Sequence, residues 1–170
     1  MILANSFISS SLEILDNSVL VWALAACGIA QFSKLFIELA ISGRWRPEVL
    51  IETGGMPSSH SALVTGAASG VGYQLGFDSP IFALAATFAF VVMYDASGIR
   101  KASGEIAERV NKLPLAAWDS PSDNPLKEKL GHTRLEVFVG SLIGPAIALP
   151  GIVFIGSPID FLQQVAFSSW

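Results

Sequence analysis

Four long stretches almost free of Lys, Arg, Asp and Glu, separated by short blocks that hold most of the charge, constrain this chain more than any other feature. A membrane-crossing helix needs about 20 mostly apolar residues. Stretches of that kind occupy residues 18–41, 58–77, 80–96 and 135–155. With 52% hydrophobic and 14% charged residues in 170, the composition lies outside the soluble range, and a bilayer is the natural solvent. The expected fold is all-α, a single membrane domain over residues 1–170. It is built as an integral bundle of about four transmembrane helices.

The first stretch ends with Lys34 and Glu38 one turn apart, a spacing that lets them pair while Lys34 snorkels to the interface. Small residues fill the second, including Gly66-x-x-x-Gly70, which suits close helix packing. A proline, Pro80, starts the third, and Pro145 and Pro150 predict kinks in the fourth. Between the third and fourth lies a polar segment, residues 97–131. There Ile106, Val110 and Leu113 recur at helical spacing, predicting an amphipathic interfacial helix, followed by a flexible loop over residues 114–126. No basic region or A-x-A-like site precedes the first apolar run, so that run is expected to be retained.

Four spans bring the end of the first, the start of the second, the end of the third and the start of the fourth to one face. Nine of the ten Lys and Arg residues belong to that face, with Lys34 just inside it. By the positive-inside rule it is cytoplasmic, or stromal, and both termini lie opposite. A net charge of −4 without basic, aromatic-interleaved runs excludes a nucleic-acid footprint. The lone Cys27 can form neither an intramolecular disulfide nor a thiolate metal site.

The chain's only histidines, His60 and His132, both stand at helix starts on the polar face. His132 and Glu136 are four apart, so a carboxylate can hold the imidazole Nδ1 proton and leave Nε2 as a nucleophile. The bland alternative is a first-turn anion beside an interfacial histidine. Gly54-Gly55-Met56-Pro57-Ser58-Ser59-His60 opens a helix whose N–H groups suit phosphate oxygens, with Ser58 or Ser59 as its cap. A protonated His60 can serve as general acid. Arg46, with Arg44, Arg100 or Lys34, can clamp a phosphate, although interfacial arginines also simply mark topology. Asp95 beside Arg100 reads first as a loop-holding salt bridge. These groups suffice for metal-free phosphoryl transfer, and no metal-ligand spacing or cofactor motif stands out.

Over residues 34–144 these motifs resemble the type 2 phosphatidic acid phosphatase and vanadium haloperoxidase superfamily. The resemblance is strongest to its divergent branch of small membrane proteins. Arg46-Pro47 is similar to the first motif, and Pro57-Ser58-Ser59-His60 to the second with Ser59 in place of glycine. His132 with Glu136 resembles the third, Glu standing for Asp. The resemblance implies that Arg46 clamps phosphate, Ser58 and Ser59 contact it, His60 is the acid, His132 the nucleophile and Glu136 its orienting acid. Lys34 stands farther from Arg46 than the motif lysine does, and Leu126 occupies the place of the third-motif arginine, with Lys127, Lys129 or Arg100 as substitutes.

The function expected is hydrolysis of a lipid phosphate or prenyl (di)phosphate through a phosphohistidine at the cytoplasmic face. The rival is an inactive membrane protein that binds a lipid headgroup in the same pocket or supports a partner complex. No span carries an ionisable residue near its midpoint, which argues against a transporter or channel. Small-residue helix faces make a homodimer the expected self-association.

Overall fold

A computed structural model describes residues 13–14, 16–52, 54–113 and 125–168. They fold as helices α1 (Ser18–Ser42), α2 (Ser59–Leu75), α3 (Pro80–Ser97), α4 (Ile99–Asn111), α5 (Arg134–Phe154) and α6 (Pro158–Ser168), with a 3-10 turn at Pro47–Leu50. No strand occurs among the described residues.

Four of the helix starts carry local chemistry that fixes them. Asn17, Ser58, Ser79 and Thr133 accept hydrogen bonds from first-turn N–H groups of α1, α2, α3 and α5, satisfying donors that a helix leaves open. Gly43, at φ +66, ends α1 in the left-handed conformation that favours glycine.

Three helical stretches are long and apolar enough to cross a membrane: Ser18–Ser42, the α3–α4 run Pro80–Asn111, and Arg134–Phe154. Large apolar side chains of α1, α3 and α5, such as Phe36, Phe88 and Phe138, are exposed on their outer faces. By contrast α2 is sheltered, packing against α1, α3 and α5, and it buries every second residue or so along its length. With 17 residues it rises about 26 Å at 1.5 Å per residue, somewhat under the hydrocarbon thickness.

Glycines make that shelter possible. A Cβ at Gly66 would touch the backbones of Ala23 and Gly144, and one at Gly144 would overlap Thr65, Ala62 and Gly66. Gly140 lies equally close to Ser58, and Gly151 to the Trp22 indole. Without side chains at these points α2 and α5 approach backbone to backbone, so the expected close packing of α2 is met by Gly140-x-x-x-Gly144 on α5.

The amphipathic segment is helical, as α4, and continues α3 across Gly98; its Gly104 and Ala107 are buried while Ile106 is exposed. Pro145 and Pro150 lie inside the continuous α5 and do not end it. Most of the loop expected at 114–126 lies outside the described residues, as do both termini. The sequence reading did not anticipate α6. Its start is set by Ser157, whose hydroxyl accepts from Asp160 N–H while its own N–H donates to the Asp160 carboxylate.

Candidate active site at the polar end of the bundle

Three hydrogen bonds gather one end of the bundle. Ser58 N–H donates to the Glu136 carbonyl at 3.0 Å, His132 N–H to the Ala96 carbonyl at 2.8 Å, and Lys34 Nζ to the Gly54 carbonyl at 3.2 Å. The end of α1, the start of α2, the end of α3 and the start of α5 therefore share one site.

The sequence Thr133-Arg134-Leu135-Glu136 forms a capping box: Glu136 N–H donates to Thr133 Oγ1 at 3.3 Å, and Thr133 N–H to Glu136 Oε2 at 3.2 Å. The same carboxylate oxygen lies 3.0 Å from His132 Nδ1. His132 is 3% exposed, and its Nε2 has no partner at hydrogen-bonding geometry among the described residues. A neutral ring that gives its Nδ1 proton to the carboxylate keeps a lone pair on Nε2. Burial pushes the His132 pKa below the usual histidine value, while the Glu136 carboxylate and the Gly55 backbone pull it up and the Lys34 charge adds to the lowering.

The chain reaches this point through Gly131, whose φ of +76 favours glycine and whose Cβ would strike Ala96, Arg100 and Lys101 backbone atoms. Gly104 gives the same room to the backbone of Glu128 and Leu130. Residues 128–132 are thus pressed against α3 and α4, which back the site.

The two histidine rings lie 6.5 Å apart, centroid to centroid, with planes inclined by 60°. His132, Glu136, Lys34 and Arg46 line one cavity of about 580 Å³. Arg46 is held by two carboxylates, Glu38 Oε1 at 3.3 Å and Glu52 Oε1 at 2.9 Å. The expected Lys34–Glu38 pairing is absent among the described contacts. Lys34 instead turns inward at 3% exposure to the Gly54 carbonyl, because the chain after α1 folds back and delivers Arg46 to Glu38.

Not every residue expected at the site reaches the cavity wall. His60 stands beside His132 but is not among the residues that line the cavity, and Ser58 and Ser59 are buried at the start of α2. Ser58 Oγ caps that helix and accepts the Ser61 hydroxyl at 2.9 Å. Arg100 pairs with Asp95, as its neighbourhood predicted, and stays off the wall, where its neighbour Lys101 appears instead. Sequence reasoning also missed Glu38, Glu52 and Met56 as wall residues. Of the three cations named for the Leu126 position, Lys129 alone joins the wall; Lys127 lines an adjoining groove of about 480 Å³.

Four cations (Lys34, Arg46, Lys101, Lys129) thus face three carboxylates (Glu38, Glu52, Glu136) around a largely buried imidazole. Apolar walls come from Ile37, Ile41, Val49, Met56, Leu130 and Leu135. Among the described residues no group of three or more His, Cys, Asp or Glu side chains is placed to hold a metal ion.

Residues 15–147 match the model of the family described as "Divergent PAP2 family". The chain is also 40% identical over 151 residues to the "Uncharacterized membrane protein YuiD" of Bacillus subtilis (strain 168), covering 81% of this chain and 96% of that protein. No solved structure matches.

Proposed function

From the premise that this chain belongs to the divergent PAP2 family and is a multi-pass membrane protein, we propose that it is a phosphatase of lipid phosphates or prenyl (di)phosphates. The observation that carries this reading is the His132–Glu136 pair, 3.0 Å apart, with Nε2 buried and unpartnered among the described residues, in a side chain that lines the same cavity as Lys34 and Arg46. His132 Nε2 attacks phosphorus, the bond from phosphorus to the leaving oxygen breaks, and His60 gives that oxygen its proton. Water then attacks the phosphohistidine, losing a proton to His60, and orthophosphate leaves. Arg46 and Lys34 counter the phosphoryl charge, and Ser58 caps the helix start that carries Ser59 and His60. Arg100, paired with Asp95, acts on His60 only through its charge.

In this reading α2 is the fourth span, enclosed by the other three, and α4 lies along the interface as the backing of the site. The cation-rich end faces the cytoplasm and both termini face away. The mixed apolar and charged wall fits an amphiphile whose headgroup is anionic and whose tail stays in lipid. No cofactor or metal enters the reaction.

The test uses purified protein in detergent with a short-chain phosphatidic acid and a polyprenyl diphosphate. Phosphate should be released, orthovanadate should inhibit, and His132→Ala should reduce release to background. Release by His132→Ala equal to wild type rejects the mechanism.

A second reading draws on one observation: Arg46 is already neutralised by Glu38 and Glu52. In that reading the pocket holds a lipid headgroup without turnover, alone, in a homodimer or within a membrane complex. Lipid that co-purifies equally with wild type and His132→Ala, neither releasing phosphate, selects it.

A further inference from the structure

The strip of chain that leads into His132 serves two walls at once. Lys129, Leu130, Gly131 and His132 line the cavity, and residues 125–130 line the adjoining groove. Whatever fixes the register of this strip on α4 therefore fixes the partition between the two.

The strip is held at three places. At one end His132 N–H donates to the Ala96 carbonyl, and in the middle Gly104 lets the Glu128 and Leu130 backbone lie directly against α4. At the other end stands Asn111, the last residue of α4. Its side-chain amide donates to the Leu126 carbonyl at 2.9 Å, accepts from Leu126 N–H at 3.0 Å and donates again to Glu128 Oε1 at 2.9 Å. Both donor hydrogens and the acceptor oxygen of the amide are thus engaged by the strip. Neighbouring residues of extended chain point their N–H and C=O groups to opposite sides, so a slip of one residue, about 3.3 Å, breaks both bonds to Leu126 together. The glycine contacts resist compression only; the Asn111 clasp reads position along the chain.

We propose that Asn111 is a positioning residue, which by clasping Leu126 sets the register of residues 126–131 on α4 and so the place of the cavity wall beside His132. Its meaning for turnover rests on the hydrolase reading, whereas the register does not. His132 keeps its own attachments to Ala96 and Glu136, so loss of the clasp acts on ligand binding and spares the chemical step.

The test compares wild type, Asn111→Ala, Asn111→Asp and Glu128→Gln as purified full-length protein in detergent. Amide hydrogen exchange is followed by mass spectrometry, and phosphate release from a short-chain phosphatidic acid is resolved into kcat and KM. In Asn111→Ala the amides of residues 126–131 should exchange about tenfold faster, with α5 unchanged, as local opening loses its hydrogen bonds. KM should rise roughly three- to tenfold with kcat within about twofold. Asn111→Asp should behave alike, since it keeps only the acceptor and turns a carboxylate toward Glu128. Glu128→Gln still offers an oxygen to Asn111 and lies off the cavity wall, so it should match wild type. Unchanged exchange in Asn111→Ala overturns the proposal, and so does a fall in kcat at constant KM, the mark of a merely structural role. Faster exchange in a protein that releases no phosphate upholds the register and rejects the hydrolase. Turnover with exchange and KM as in wild type does the reverse.

Discussion

Glu136 places one carboxylate oxygen within reach of both His132 Nδ1 and Thr133 N–H, so replacing it by glutamine keeps the shape and removes the charge. The amide presents a donor or a weaker acceptor to the ring, and the tautomer with its lone pair on Nε2 is no longer enforced. Glu136→Gln should lower phosphate release by about 10²- to 10⁴-fold with little change in substrate affinity, measured as kcat against KM. It should also move the acid limb of the pH profile. Glu136 raises the His132 pKa against the lowering by burial, so its loss lets the pKa fall further and the imidazole stays neutral to lower pH. In the native protein the folded-state pKa of His132 already lies below the unfolded value. Its contribution to stability is therefore present above the unfolded pKa near 6.5 and is lost as pH falls through the depressed folded value. The His132–Glu136 pair was legible in the sequence because its partners lie four apart on one helix start. Glu38 and Glu52 were not, since they reach Arg46 across a chain reversal, eight and six residues away, where no helical period applies.

At the scale of elements, the contact between α2 and α5 is made by the absence of side chains, which gives a contrast within one residue type. A methyl at Gly144 meets Thr65 Oγ1, the Ala62 carbonyl and the Gly66 N–H, and turning the Thr65 side chain away leaves the two backbone clashes, so Gly144→Ala should destabilise by about 1–3 kcal/mol. At Gly28, inside α1, nothing lies within 4 Å of the added methyl, and the gain in helix propensity should stabilise by roughly 0.5–1 kcal/mol. Thermal unfolding followed by circular dichroism in detergent reads both, and shifts of the same sign would refute the packing argument. The glycine spacing of α2 was visible in the sequence as Gly66-x-x-x-Gly70, and it pointed to close packing, but which helix answers it depends on the tertiary arrangement. The opposite holds for α6. Ser157-Pro158 followed by Asp160 is a helix-start pattern written plainly in the chain, and it was overlooked because the apolar run before it drew the boundary at residue 155.

Across the whole molecule the two ends of the bundle are tied separately. Lys34 to Gly54, Ser58 to Glu136 and His132 to Ala96 close the polar end. At the other end Gln74 meets Ser18, the Trp22 indole N–H donates to the Gly156 carbonyl, and the Ser157 hydroxyl donates to Asp16. Alternation of apolar runs was enough to read which element ends meet, because each run reverses the direction of the chain. It could not read depth: α2 is enclosed while α3, with a similar apolar run, is largely bare, since hydropathy records an affinity for lipid or for core alike. The proposed sidedness then follows only if the two ends open to different compartments. In a Cys27→Ala background, Trp45→Cys and Leu126→Cys carry exposed positions at the polar end, and Phe77→Cys and Ile155→Cys at the other. A membrane-impermeant maleimide should modify the first two only from the cytoplasmic side, in inverted vesicles, and the second two only in intact cells. If residues 45 and 126 label from opposite sides, the loops that carry Arg46 and His132 do not share a compartment. The cavity would then have to be assembled within the bilayer, and a water-borne phosphoryl reaction there would lack its solvent.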